Sequence, residues 1–307
     1  MQQAIVRVAA LIPDLGMGGA ERMVIHLLAA LSRSGFDVSL ITLFDGGHEA
    51  LLREVQAYGI QLVQLGKRPG PDPRMPFAIW RALQNVRPDI VHTHRYALAY
   101  AAPAILASKF VVVHTVHNIA EKESHLVGRI IQRLAFKKGA IPVAIAEEVA
   151  RSIRRVYGPL DVPVIPNGIP VDSYAAGEGH RAMWRARHGF ADEQVLFVCV
   201  ARLSPQKNHE LLLRAFARHV ASSPDSRLVL VGDGPLREHI LERIEGLELG
   251  GRVVLLGTRN DVADILAAAD VFVLASAYEG NPLSVMEAMA SGIPVLCTSV
   301  GGVPELV

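Results

Sequence analysis

Short, nearly uninterrupted apolar runs recur along this chain, and the gaps between most of them are wide enough to hold one helix. The runs are 4–12, 37–43, 61–65, 90–93, 110–116, 142–145 and 162–165, followed by a second series at 195–201, 227–231, 253–256, 271–275 and 294–298. Few polar residues interrupt them, whereas a strand with one wet face alternates polar and apolar side chains. Helical periodicity fills 20–34 and 74–86. Strands covered on both faces and separated by helices predict an α/β architecture of two doubly wound, Rossmann-like parallel sheets.

The two series part at 166–190, PNGIPVDSYAAGEGHRAMWRARHGF, which is rich in Gly, Pro and small residues and in which no strand can be read. The expected organisation is a first domain at 1–166, a linker at 167–190 and a second domain at 191–307. A chain of 307 residues is long enough for two cores. Half of it is apolar and the formal net charge is +1, which gives no general attraction to nucleic acid. The N-terminal run is broken by Arg7 without a cleavage-like region, so no signal peptide is expected. The longest apolar run, 97–107, contains a proline and is too short to span a bilayer. Cys199 and Cys297 lie in strand-like runs without metal-ligand spacing and read as reduced core residues of a cytoplasmic protein.

In open parallel sheets ligands gather at the carboxyl ends of the strands, so the motifs there carry the chemistry. After the first strand, LGMGGAERM sets Gly16, Gly18 and Gly19 before a helix. Asp45 closes the second strand, where a ribose-binding acid could stand. The dinucleotide fingerprint nevertheless fails, because its sixth position is Glu21. In the second half, VARLSPQKN places Arg202 at a strand end and Lys207 before a helix, a cationic pair suited to a diphosphate. LVGDGP forms another strand–turn–helix, with Pro235 at the expected first helical position.

His92, His94, His114 and His117 cluster near two strand ends. They come from separate strands, lack cysteines and form no H-E-x-x-H, so one ligand-facing histidine among core histidines is expected rather than a metal site. Arg129, Arg133 and Lys137 recur every fourth residue in GRIIQRLAFKK. That pattern describes a solvated helix face, or a weak anchor to anionic lipid.

The stretch SAYEGNPLSVMEAMASG contains two carboxylates, Glu279 in a loop and Glu287 inside a helix. Asn281 and Pro282 read as the N-cap and first position of that helix, and Gly292 and Pro294 end it. The neighbours of Glu287 are mostly apolar. A buried carboxylate needs a partner, and a ligand rich in hydroxyls would supply one.

Taken in order, GGAER, HTVHN, VIPNGI, VARLSPQKN, VGDGP and the run from AAADVFVLASAYEG to GGVPELV resemble the family 4 retaining glycosyltransferases of GT-B fold. The resemblance covers nearly the whole chain, and its most specific element is the E-x7-E of Glu279 and Glu287. It implies transfer of a hexose-type sugar from a nucleotide diphosphate donor to an acceptor hydroxyl, with retention and without a cofactor or bound metal. By this resemblance Glu279 contacts the donor sugar, and Gly280, Asn281, Pro282 and Leu283 line sugar and diphosphate. Glu287 accepts the ribose hydroxyls, Arg202 and Lys207 hold the diphosphate, Gly18 and Gly19 approach the phosphates, and His117 lies near sugar and acceptor. Glu279, His117, Arg202 and Lys207 are the implied catalytic group.

The implied acceptor is a glycan or a lipid-linked glycan of the cell envelope, reached by weak peripheral association at the inner membrane face. The family pattern continues beyond residues 301–307, so the second domain is expected to be truncated, with an open edge near 295–306, weak donor binding and poor catalysis. Two alternatives stand beside transfer: a binding module with little activity, and a nucleotide-sugar epimerase on the same fold. A nicotinamide-dependent dehydrogenase is disfavoured by Glu21.

Overall fold

The computed structural model describes residues 5–106, 108, 110–175 and 179–307. The chain divides into two compact units between Gly168 and Ile169.

In the first unit the elements follow as β1 (Arg7–Ile12), α1 (Gly19–Arg33), β2 (Asp37–Thr42), α2 (Glu49–Ala57), β3 (Gln61–Gln64), α3 (Met75–Val86) and β4 (Ile90–His94). They continue as α4 (Ala97–Leu106), β5 (Val111–Val116), α5 (Ala120–Glu123), α6 (Leu126–Lys137), β6 (Ile141–Ala144) and α7 (Glu147–Tyr157). The sheet order is β3-β2-β1-β4-β5-β6, all parallel. The order reverses between β1 and β4, as a doubly wound sheet requires. β1 is buried at every position after Arg7, which is why its run carries no polar alternation, and β4 buries Val91, Thr93 and His94. Charge placement supports the helices: α7 begins with Glu147 and Glu148 and ends with Arg154 and Arg155, matching the helix dipole.

The run 162–165 does not form a seventh strand. It makes only an isolated parallel bridge, Ala144 to Val164, because β6 has by then turned into α7.

The second unit contains α8 (His180–His188), β7 (Leu196–Val200), α9 (His209–Val220), β8 (Arg227–Val231), α10 (Arg237–Gly246) and β9 (Val253–Gly257). It ends with α11 (Val262–Ala268), β10 (Val271–Leu274), α12 (Leu283–Ala290) and β11 (Val295–Cys297). Its parallel sheet runs β11-β10-β7-β8-β9. β11 stands at an edge with Leu296 exposed, yet Val303 beyond it is buried in the core. Cys199 is a free core thiol. Cys297, on the edge strand, is only half-buried and departs from the expectation of a core residue.

The expected linker is corrected. Residues 169–190 belong to the second unit and hold a 3₁₀ turn at Val171–Tyr174 as well as α8. Trp184 stacks between His188 and Phe190, at centroid distances of 4.0 and 5.8 Å. Arg185 is fully buried. It donates to the Ala268 carbonyl at 2.9 Å, the Gln194 carbonyl at 2.9 Å and Asp270 Oδ2 at 2.7 Å. Three arginines within seven residues hid a packed helix, because a guanidinium can be buried once its donors find acceptors.

Candidate functional site

In the second unit four chain segments converge at the carboxyl end of the sheet. Just beyond β7 stand Ala201 and Leu203, both buried, so Arg202 between them points out, and it makes no ion pair to any described residue. Backbone bonds fix this turn: Leu203 N donates to Asp233 O at 3.0 Å, and Leu236 N donates to Leu203 O at 3.1 Å. A Cβ on Gly232 would lie 2.1 Å from Ala201 O, and one on Gly234 would lie 2.4 Å from Leu203 O. The VGDGP glycines therefore let one strand-end turn lie against another. Pro235 falls in the turn, and α10 starts two residues later than expected, at Arg237.

Lys207 closes a 3₁₀ turn, Pro205–Lys207, and its Nζ lies 2.5 Å from Glu279 Oε1. Ser276 Oγ donates to the same oxygen at 2.5 Å, and Gln206 Nε2 reaches Oε2 at 3.4 Å. The Glu279 side chain is only 5 % exposed. A buried carboxylate is tolerated when charged and neutral donors surround it, as they do here. Lys207, read from the sequence as one of two cations for a diphosphate, is thus already paired with a carboxylate. An ammonium has three donors, however, and can hold Glu279 and a further anion together.

Past Glu279 the chain runs through buried Gly280, Asn281 and Pro282 into α12. The helix begins at Leu283 with Pro282, not Asn281, at the N-cap. Pro282 keeps a helix-compatible φ of −73°, but its ψ of 119° is extended, so the helix starts one residue later than the Asn-Pro signal implied. Leu283 and Glu287 are both buried. The partner of Glu287 lies within the chain after all: Tyr174 Oη donates to its Oε1 at 2.8 Å. That contact spans 113 residues of sequence and starts in the stretch read as linker.

In the first unit Gly18, in extended backbone, is the N-cap of α1, and Gly19 opens the helix. A Cβ on Gly18 would meet Glu21 Oε2 at 2.3 Å, so this glycine makes room for the carboxylate of its own helix. Glu21 is buried and accepts from Arg95 Nη1 at 2.6 Å, and Asp14 lies 3.6 Å from the same nitrogen. Burial raises the Glu21 carboxyl above its usual range, although Arg95 opposes the shift. Arg95 itself has a φ of +53°, a conformation that costs a non-glycine residue about 1 kcal/mol or more. Asp45 accepts from Gly66 N at 2.8 Å and serves a loop there.

The four histidines near the ends of β4 and β5 differ in their surroundings. His114 is satisfied in the core by Thr93 Oγ1 at 2.9 Å and Gln132 Nε2 at 3.2 Å. His92 pairs with Thr115 Oγ1 at 2.8 Å. His117 is half-buried and shares a hydrogen bond with His94, Nε2 to Nδ1 at 3.0 Å. His94 stands apart, because its buried Nε2 has no hydrogen-bond partner among the described residues. Burial lowers the pKa of His92 to about 4 and of His114 and His117 to about 3, so these rings are neutral near pH 7. Nearby Glu123 is pushed up to about 8 by burial, although its Oε2 accepts from Asn118 N at 3.0 Å.

Of the residues named from the sequence, the structure joins Lys207 to Glu279 and places Arg202 and Glu287 in the same unit, with Gly18 and His117 in the other. Sequence reasoning did not name Arg95, Tyr174, Gln206 or Ser276, the partners of Glu21, Glu287 and Glu279. Arg95 had a signal of sorts, since it directly follows the histidines at the end of β4.

Residues 17–173 match the family described as Glycosyltransferase Family 4, and residues 180–307 match Glycosyl transferases group 1. An Escherichia coli protein, UDP-Gal:alpha-D-GlcNAc-diphosphoundecaprenol alpha-1,3-galactosyltransferase, is 30 % identical over 300 residues, covering 93 % of this chain and 77 % of that one. The D-inositol 3-phosphate glycosyltransferase of Corynebacterium diphtheriae is 28 % identical over 94 % of this chain and 75 % of its own length. Among solved structures, Anabaena Alr3699/HepE in complex with UDP and glucose superposes with a TM-score of 0.87 at 23 % identity. That match covers 98 % of this chain and 83 % of the other, and it establishes the shared GT-B fold.

Proposed function

Because the chain belongs to glycosyltransferase family 4, we propose that it moves a hexose from a nucleoside diphosphate to a hydroxyl of a cell-envelope glycan or lipid-linked glycan, with retention of configuration. One observation carries this reading. Within a single unit, an outward guanidinium (Arg202) and an ammonium (Lys207) follow β7, a fixed carboxylate (Glu279) paired with Lys207 follows the neighbouring β10, and a second buried carboxylate (Glu287) stands on the helix after it.

In this reading Glu287 accepts the ribose hydroxyls, while Arg202 and Lys207 bind the diphosphate. Glu279, with the backbone of Gly280, Asn281, Pro282 and Leu283, holds the sugar. In the reaction the bond from the anomeric carbon to the diphosphate oxygen breaks, and the bond to the acceptor oxygen forms on the same face. The acceptor proton passes to the departing phosphate oxygen. Negative charge grows on the diphosphate during this step, and cations already in place stabilise it without reorganisation. Gly18, Gly19 and His117, all in the first unit, are the residues that the family resemblance assigns to the phosphates and the acceptor. The neutral state of His117 fits a hydrogen-bonding role rather than that of a cation.

Helix α6 supports an acceptor held at a membrane. Leu126, Val127, Ile130 and Leu134 are exposed on it, alongside Arg133, Lys137 and Lys138. Apolar side chains among cations, with no acid on the helix, fit the surface of an anionic leaflet. No helix among the described residues is long and apolar enough to cross a membrane.

The test is calorimetric titration with UDP- and GDP-hexoses, followed by a transfer assay. Glu287→Ala is expected to weaken donor binding by roughly tenfold or more, the loss of hydrogen bonds to a charged group. Arg202→Ala is expected to lower turnover more than affinity, by roughly 100-fold, as loss of a group acting on developing charge does. Equal effects of both variants on both parameters would refute this division. Failure of every nucleotide sugar to bind would refute the reading as a whole.

A further inference from the structure

We infer that Tyr174 is a positioning residue for the donor ribose: its hydroxyl holds Glu287 in the orientation that reads the ribose hydroxyls. The inference rests on the proposed function, since it takes Glu287 to be the ribose acceptor, and adds to it a residue from outside the recognised motifs.

The geometry is specific. Tyr174 ends the 3₁₀ turn Val171–Tyr174, and its ring belongs to the apolar core of the second unit. With the side chain only 5 % exposed, packing rather than solvent decides where the hydroxyl sits. The hydroxyl lies 2.8 Å from Glu287 Oε1. Glu287, equally buried, stands on α12 among Leu283, Val285 and Ala288.

Two consequences follow from elementary chemistry. A hydroxyl that donates to one oxygen of a buried carboxylate stabilises the anion by a hydrogen bond. The charged form is the better acceptor for a vicinal diol. A carboxylate also offers about four lone-pair positions, and the Tyr174 hydroxyl on one of them restricts rotation of the group. The contact joins two segments that lie far apart in sequence. The turn before α8 therefore helps to set the geometry of a nucleotide site that lies after β10.

Tyr174→Phe keeps the ring and removes only the donor. Binding of UDP and of GDP would be measured for the full chain and for the variant, each beside the 2′,3′-dideoxy diphosphate. The intact protein is expected to prefer the ribose forms by roughly tenfold or more. In Tyr174→Phe most of that preference should vanish through weaker binding of the ribose forms, while dideoxy binding stays within about twofold. A melting curve controls for folding.

Equal weakening of ribose and dideoxy forms would assign Tyr174 a purely structural role and overturn the inference, as would unchanged affinities. A wild-type protein that binds both forms equally would remove Glu287 from the ribose and end the inference at its premise. A protein that binds neither nucleotide would instead bring down the transferase reading itself, so the two failures are distinguishable.

Discussion

A methyl group placed on Gly301 would lie 1.8 Å from the carbonyl oxygen of Glu279 and 3.2 Å from its nitrogen, at a φ of +54°. Neither backbone atom can swing aside as a long side chain would, so the loop carrying Glu279 must move. Gly301→Ala is therefore expected to leave a folded protein whose nucleotide-sugar affinity falls roughly tenfold or more, because Glu279 loses alignment with Lys207 and Ser276. Gly250→Ala is the control, since nothing lies within 4 Å of its added methyl. Titration of both variants with the same donor checks the expectation, and equal affinities would count against it.

Residues of this kind explain what the sequence did not disclose. Glu279 and Glu287 were legible because charges in an apolar stretch stand out. Gly301 was not, because its constraint is a neighbour 22 positions away, as the same pairing of Thr298 Oγ1 with Ser276 O illustrates. Arg95 was hidden similarly, since its partner Glu21 is 74 residues distant.

Among elements, strands were the most legible and short helices the least. Burial on both faces writes a strand as an apolar run, and among the described residues eleven strands fall on eleven of the twelve runs. Helix α8 was lost because its buried face is built partly from Arg185, and the start of α10 was misplaced because a turn at Pro235 precedes it. Helix α6 was seen as a basic face, but the extent of its apolar exposure could not be read from spacing. Leu126 and Val127 are 71 % and 69 % exposed. Replacing Leu126, Val127, Ile130 and Leu134 by serine is expected to release the protein from phosphatidylglycerol vesicles in a sedimentation assay. Burial of such side chains contributes about 1 kcal/mol or more each. Binding to phosphatidylcholine vesicles should be weak for both proteins, and binding that survives the four substitutions would exclude this helix as the contact.

For the whole molecule, two doubly wound sheets were readable from alternation alone, whereas the junction was not. Composition put a linker at 167–190, but packing puts the boundary at Gly168 and Ile169. A fragment of residues 169–307 is accordingly expected to unfold cooperatively when heated, followed by circular dichroism. A fragment of residues 191–307 lacks Tyr174, Trp184 and Arg185, and leaves Asp270 without its two arginine partners. It should melt at least several degrees lower, as loss of about 1 kcal/mol or more does in a domain of this size. Equal melting temperatures would mean that α8 adds nothing to the core.

Since the chain passes from one unit to the other at a single peptide, a splice at Gly168 severs no strand and no helix. The half that carries Glu279 and Glu287 could be exchanged between relatives as an intact cassette. In such chimaeras, donor preference should travel with the grafted half.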